Sequence, residues 1–123
     1  MSLESQINHL TQKGNIEVIC GSMFSGKTEE LLRRLKRAQF AKLDIAVFKP
    51  KIDNRYDTQK VVSHDENTIK AIPVDCAKNI LPLVKQAQVV AIDEAQFFDA
   101  DLATVCNELA NAGVRVIIAG LDM

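Results

Sequence analysis

A chain of 123 residues suits one domain rather than two, and 47% apolar with 25% charged residues is the balance of a soluble globular protein. No apolar run approaches the roughly 20 residues that cross a bilayer, and the polar start lacks a signal-peptide core, which points to a cytoplasmic protein with no membrane partner. A formal net charge of -1 excludes a surface that binds nucleic acid by charge alone.

Residues 1–15 are mostly polar and are expected as an N-terminal arm, either a short helix or loosely held. Ile16 to Cys20 is a β-prone run that ends at Gly21. From Lys27 to about Phe40, strong helix formers set Leu31, Leu35 and Ala38 on one face. The basic run Arg33-Arg34-Leu35-Lys36-Arg37 reads as the solvated side of that helix, not as a nucleic-acid patch. Ile45 to Phe48 reads as a buried strand closed by Pro50. Residues 51–68 are rich in Asp, Asn, Lys and Thr and are expected as a long surface loop, with at most a short strand at Val61-Val62.

Ile69 to Ile72 is a further short strand before Pro73, and Asp75 is expected to cap a short helix that Pro82 interrupts. Val89 to Ile92 is apolar, β-branched and too short for a helix, hence a buried parallel strand. Leu102, Val105, Cys106 and Leu109 recur at helical spacing, with Asp99 or Asp101 as cap and Gly113 as stop. Val114 to Ala119 completes the series as a strand broken only by Arg115. Strands alternating with helices imply an α/β fold, a mostly parallel sheet covered by helices on both sides. Cys20, Cys76 and Cys106 are scattered and form no CxxC pair, so they are expected as reduced, buried thiols rather than disulfides or a zinc site.

The sharpest signal is Gly21-Ser22-Met23-Phe24-Ser25-Gly26-Lys27-Thr28, a full GxxxxGK(S/T) P-loop between a strand and a helix. Its glycines let successive backbone N–H groups turn toward phosphate oxygens, and the helix N-terminus adds partial positive charge at the same place. Lys27 can reach the β- and γ-phosphates of ATP, and the Thr28 hydroxyl can ligate magnesium. Asp93, at the end of the apolar strand Val89–Ile92, is the matching acid for the magnesium shell. Glu94 beside it is not needed for binding ATP. A second carboxylate is useful when a nucleophile must lose a proton, and a general base contributes roughly 10² to 10⁴ in rate. The nucleophile would be water in an ATPase or an alcohol in a kinase; these residues alone do not separate the two.

Further motifs narrow the choice. GSMFSGKT at 21–28, KPKIDNRY at 49–56, SHD at 63–65, IDEAQFF at 92–98 and AGLD at 119–122 resemble, in order and spacing, those of type II thymidine kinases. The resemblance covers nearly all of 16–123 and implies a P-loop NTPase (RecA-like) three-layer kinase domain there. It implies transfer of the ATP γ-phosphoryl group, with magnesium, to the 5′-hydroxyl of thymidine or deoxyuridine. Glu94 would take the hydroxyl proton, and Arg55, beside Asp53 and Asn54, would offset charge on the phosphates. Ala95 and Gln96 would belong to the ATP side. Met23 and Phe97 would line the nucleoside pocket with Leu121 as a further wall, while Phe98 suits pocket and core equally. His64 is read as a loop histidine rather than a metal ligand. A homotetramer is also implied.

Type II thymidine kinases continue past the stretch matching Gly120-Leu121-Asp122 into a small domain with four zinc-binding cysteines and a lasso loop that holds the base. No residues here match that domain, so the chain is expected to be a partial kinase, inactive or feeble alone. Two rivals remain: a DEAx-box ATPase motor fragment, suggested by Asp93-Glu94-Ala95-Gln96, and a non-catalytic nucleotide-binding module.

Overall fold

The computed structural model describes residues 14–20, 26–51, 60–62 and 68–120. Five parallel strands form one sheet, in the order β1 (Ile16–Ile19), β7 (Arg115–Ala119), β6 (Val89–Ile92), β2 (Ile45–Pro50) and β5 (Ile72–Val74). Helix α1 (Lys27–Phe40) follows β1. A 3₁₀ turn (Ala77–Ile80) running into α2 (Leu81–Val84) links β5 to β6, and α3 (Leu102–Asn111) links β6 to β7.

Alternation along the strands divides the core in two. Val47, Val89, Ala91, Ile117 and Ala119 pack with Leu31, Leu32, Leu35 and Ala38 of α1. Phe48, Val90, Ile92 and Val116 pack on the other face with Ile80, Val84, Val105, Cys106 and Leu109. All four residues of β6 are buried, as the central strand of a doubly covered sheet requires. Each fully buried leucine of α1 contributes about 1.5–3 kcal/mol. The result is the α/β architecture expected, helices on both faces of a parallel sheet. Gly113 (φ 94°) ends α3 as read.

Several local expectations are corrected. Residues 69–72 are not one strand. β4 (Thr68–Lys70) pairs antiparallel with β3 (Lys60–Val62), and after Ala71 the chain re-enters the main sheet as β5. Pro73 lies inside β5, an edge strand among the described residues, where its missing N–H costs no ladder bond. β2 closes at Pro50 as expected but runs two residues past Phe48, through Lys49 to Pro50, beyond the stretch that β6 pairs. Pro82 sits in the first turn of α2, where a proline is tolerated, so the 3₁₀ turn passes directly into α2 there. The carboxylate at the start of that turn is Asp99, not Asp75: the Ala77 amide donates to Asp99 Oδ1 at 2.8 Å. That bond holds the Asp99 carboxyl below the usual range. Asp101 stands at the N-cap of α3 without a side-chain cap bond. Of the thiols, only Cys106 is buried, which pushes its pKa up to about 11; Cys76 is half-buried and Cys20 exposed, and all three are free.

The basic run is less simply solvated than its composition suggests. Arg33 is exposed, but Arg34 bonds both Glu30 (2.6 Å) and Glu17 of β1 (2.9 Å). Arg115 of β7 meets the same Glu17 at 2.5 and 3.0 Å.

Candidate functional site

Because all five strands run the same way, their C-terminal ends share one edge of the sheet, where ligands of such folds bind. The chain leaves β1 there toward the P-loop, whose residues Gly21, Ser22, Met23, Phe24 and Ser25 lie outside the described residues. It re-enters at Gly26, in the left-handed region (φ 85°, ψ 17°) that glycine adopts without a Cβ penalty. Lys27 then opens α1, and the Gly26 carbonyl accepts from the Glu30 amide at 3.0 Å. Lys27 and Thr28 therefore stand in the first turn, at the positive end of the helix dipole.

The acids come from β6. One strand, β7, separates β1 from β6, so the two strand tips are about 10 Å apart. The Asp93 amide donates to the Phe48 carbonyl at 2.9 Å, extending the β2–β6 ladder by one residue. Val47 and Ala91 belong to the α1 face and Phe48 and Ile92 to the other, so alternation puts Lys49 and Asp93 on the α1 face together. Burial raises the Asp93 carboxyl above the usual aspartate range. The Glu94 amide that donates to Asp93 Oδ1 at 2.9 Å lowers it, the Glu94 charge raises it, and Lys49 and Lys27 draw it down.

Glu94 adopts left-handed backbone angles (φ 52°, ψ 44°), which cost a non-glycine residue roughly 1–2 kcal/mol. The strain is held by the bond to Asp93 and by the Phe97 amide, which donates to the Glu94 carbonyl at 3.0 Å. It reverses the chain into a short 3₁₀ turn, Ala95–Phe97. Gly120, just past β7, approaches that turn closely. A Cβ there would lie 2.8 Å from Gln96 Oε1 and 3.3 Å from the Ala95 and Gln96 amides. Phe97 is 50% exposed, whereas Phe98 packs against the core cluster under α3, which resolves its reading toward core.

Sequence reasoning missed three contributors. Lys49 stood inside a matched motif without a task, since its facing Asp93 follows only from strand register. The strained backbone of Glu94 has no signature in residue type. Gly120 could have been suspected from a glycine at a strand end. Asp53, Asn54, Arg55, His64 and Leu121 lie outside the described residues. Among the described residues no three His, Cys, Asp or Glu side chains gather as a metal cage. No helix among them is long and apolar enough to cross a membrane.

A family model described as thymidine kinase matches residues 14–123. The thymidine kinase of Bacteroides fragilis (strain YCH46) is 60% identical over 120 residues, covering 98% of this chain and 60% of that protein. That of Porphyromonas gingivalis (strain W83) is 60% identical over 125 residues, covering 100% and 61%. That of Rhodothermus sp. (strain ITI 518) is 61% identical over 116 residues, covering 94% and 54%. The chain therefore spans about three fifths of the length of the curated relatives it matches. Identity at this level runs through the whole strand–helix frame and is not confined to the phosphate motif, so the chain belongs to the thymidine kinase family.

Proposed function

We propose that this chain is the nucleotide-binding part of a cytoplasmic thymidine kinase that transfers the ATP γ-phosphoryl group to the 5′-hydroxyl of thymidine, giving dTMP. What supports the reading is the shared sheet edge: Lys27 opens α1 after β1, and Asp93–Glu94 follow β6 two strands away, in a chain of this family.

In this reading Gly21 to Thr28 cradle the phosphates, and Lys27 draws charge from the β- and γ-groups. Thr28 and Asp93 would hold magnesium, which when bound neutralises charge between the phosphates. Glu94 accepts the 5′-hydroxyl proton as that oxygen bonds to the γ-phosphorus and the bond to ADP breaks. Arg55 offsets charge on the moving phosphoryl group, with Asp53, Asn54, Ala95 and Gln96 on the nucleotide side. Met23, Phe97 and Leu121 form the nucleoside walls; half-exposed Phe97 suits that task better than core packing. A structural zinc site and lasso loop would belong to a further domain, and the assembly would be a homotetramer, both by family resemblance.

The test follows labelled γ-phosphate in the full-length protein. The label should reach thymidine monophosphate, and Glu94→Gln should cut that turnover by roughly 10² or more while ADP still binds. Label that reaches only inorganic phosphate, with or without thymidine, would overturn the kinase reading. Stimulation by nucleic acid would instead favour a motor.

A further inference from the structure

Lys49 has no part in the phosphoryl-transfer reading, yet strand register sets it next to the acid that reading needs. It follows Phe48, whose carbonyl accepts from the Asp93 amide, and it projects from the same face of the sheet as Asp93. β2 borders β6 on the side away from β7 and β1, so Lys49 and Lys27 belong to elements on opposite sides of β6. Both charges act on its carboxyl. Lys49 is half-buried, so its field is screened less than that of a solvated lysine. Asp93 in turn accepts from the amide of strained Glu94, so its orientation also sets the turn that presents Glu94.

We propose that Lys49 is a positioning residue that braces the Asp93 carboxylate from the β2 side, so that Asp93 meets a nucleotide-bound divalent cation in one orientation. The inference rests on the reading of Asp93 as a magnesium-holding residue. Groups that orient a metal-binding side chain typically change metal affinity 10- to 100-fold when removed. The competing role is plain cover, the lysine stem shielding the sheet beside Pro73, its register partner on β5. The two roles separate by chemistry: methionine keeps the stem, arginine keeps the charge.

The test measures ADP affinity in the full-length protein by calorimetry, with magnesium and with EDTA. Lys49→Met and Lys49→Gln should each lose roughly tenfold in affinity for ADP with magnesium. Affinity for metal-free ADP should stay within about twofold of the parent, and Lys49→Arg should restore most of the magnesium response. Equal weakening in both conditions, or an undiminished magnesium response in the neutral variants, overturns the proposal. Asp93→Asn is the control that keeps two failures apart. If it abolishes the magnesium response while the neutral Lys49 variants do not, only the bracing role falls. If it leaves the response intact, the assignment of Asp93 itself is wrong.

Discussion

Two clusters of charge lie on the same face of the sheet, and α1 touches both. At its start, Lys27 acts on Asp93 beside Glu94 and Lys49. Seven residues further along, about 10 Å down the axis, Arg34 joins Glu17, Arg115 and Glu30. In the second cluster every acid has direct guanidinium partners, and both Glu17 and Glu30 are held below the usual glutamate range. In the first, burial outweighs the nearby cations, and Asp93 is held above its usual range. The ion pairs therefore stitch α1 to β1 and β7, while the site keeps an acid whose charge is not fully offset by the protein. Such an imbalance suits a ligand that supplies the missing cation.

The contrast breaks first if Lys27 turns out to be part of the stitching. Lys27→Ala should weaken ADP binding by about 1.5–3 kcal/mol, roughly 10- to 150-fold, since it removes a charge-assisted contact to phosphate. Its unfolding free energy should stay within about 0.5 kcal/mol of the parent. Unchanged affinity in calorimetry would remove Lys27 from the site.

The two acids should respond to pH with opposite signs. The folded pKa of Glu17 lies below its ordinary 4.5, so its contribution is present above that value and is lost as pH falls through the folded one. Glu17→Gln should cost about 1–2 kcal/mol in urea unfolding at pH 7, with the gap to the parent closing in acid. For Asp93 the folded pKa lies above its ordinary 3.8, so the charged group destabilises the fold at neutral pH. Asp93→Asn, measured in EDTA, should therefore gain about 0.5–2 kcal/mol at pH 7, the amount common for relieving a functional site. That gain should vanish below the ordinary aspartate value. A loss of stability at pH 7 would show that Asp93 is scaffold after all.

This division was only partly legible in the sequence. The strands with strong patterns were readable because their burial is complete: Val89 to Ile92 admits no polar residue, and Leu31, Leu35 and Ala38 keep strict helical spacing. The stretch 68–74 was not, because its apolar residues run on through Ala71 while the backbone passes from one sheet to the other. Asp75 looked like a cap by proximity, but the amide of Ala77 is satisfied from Asp99, 22 residues away. The P-loop and the Asp93–Glu94 pair were readable as spacing. What spacing cannot carry is direction: that Glu94 turns through a left-handed angle, and that Lys49 shares a face with Asp93, depend on register across β2 and β6.

The smallest expected effect tests whether the stitching itself has grades. Arg33 and Arg34 both bond Glu30, but Arg33 is 61% exposed and among the described residues bonds only within its own helix, whereas Arg34 also reaches Glu17 on β1. An exposed pair within one helix contributes about 0.3–0.5 kcal/mol, and Arg33→Ala should cost no more than that. In 1 M salt, where screening acts over about 3 Å, even this cost should fade. Arg34→Ala severs a tie between elements as well as an intrahelical pair, so its cost should be larger and should persist in salt. Equal costs for the two arginines, or equal salt sensitivity, would mean that the bond to Glu17 adds nothing. The placement of α1, and of Lys27 at its start, would then rest on the buried leucines alone.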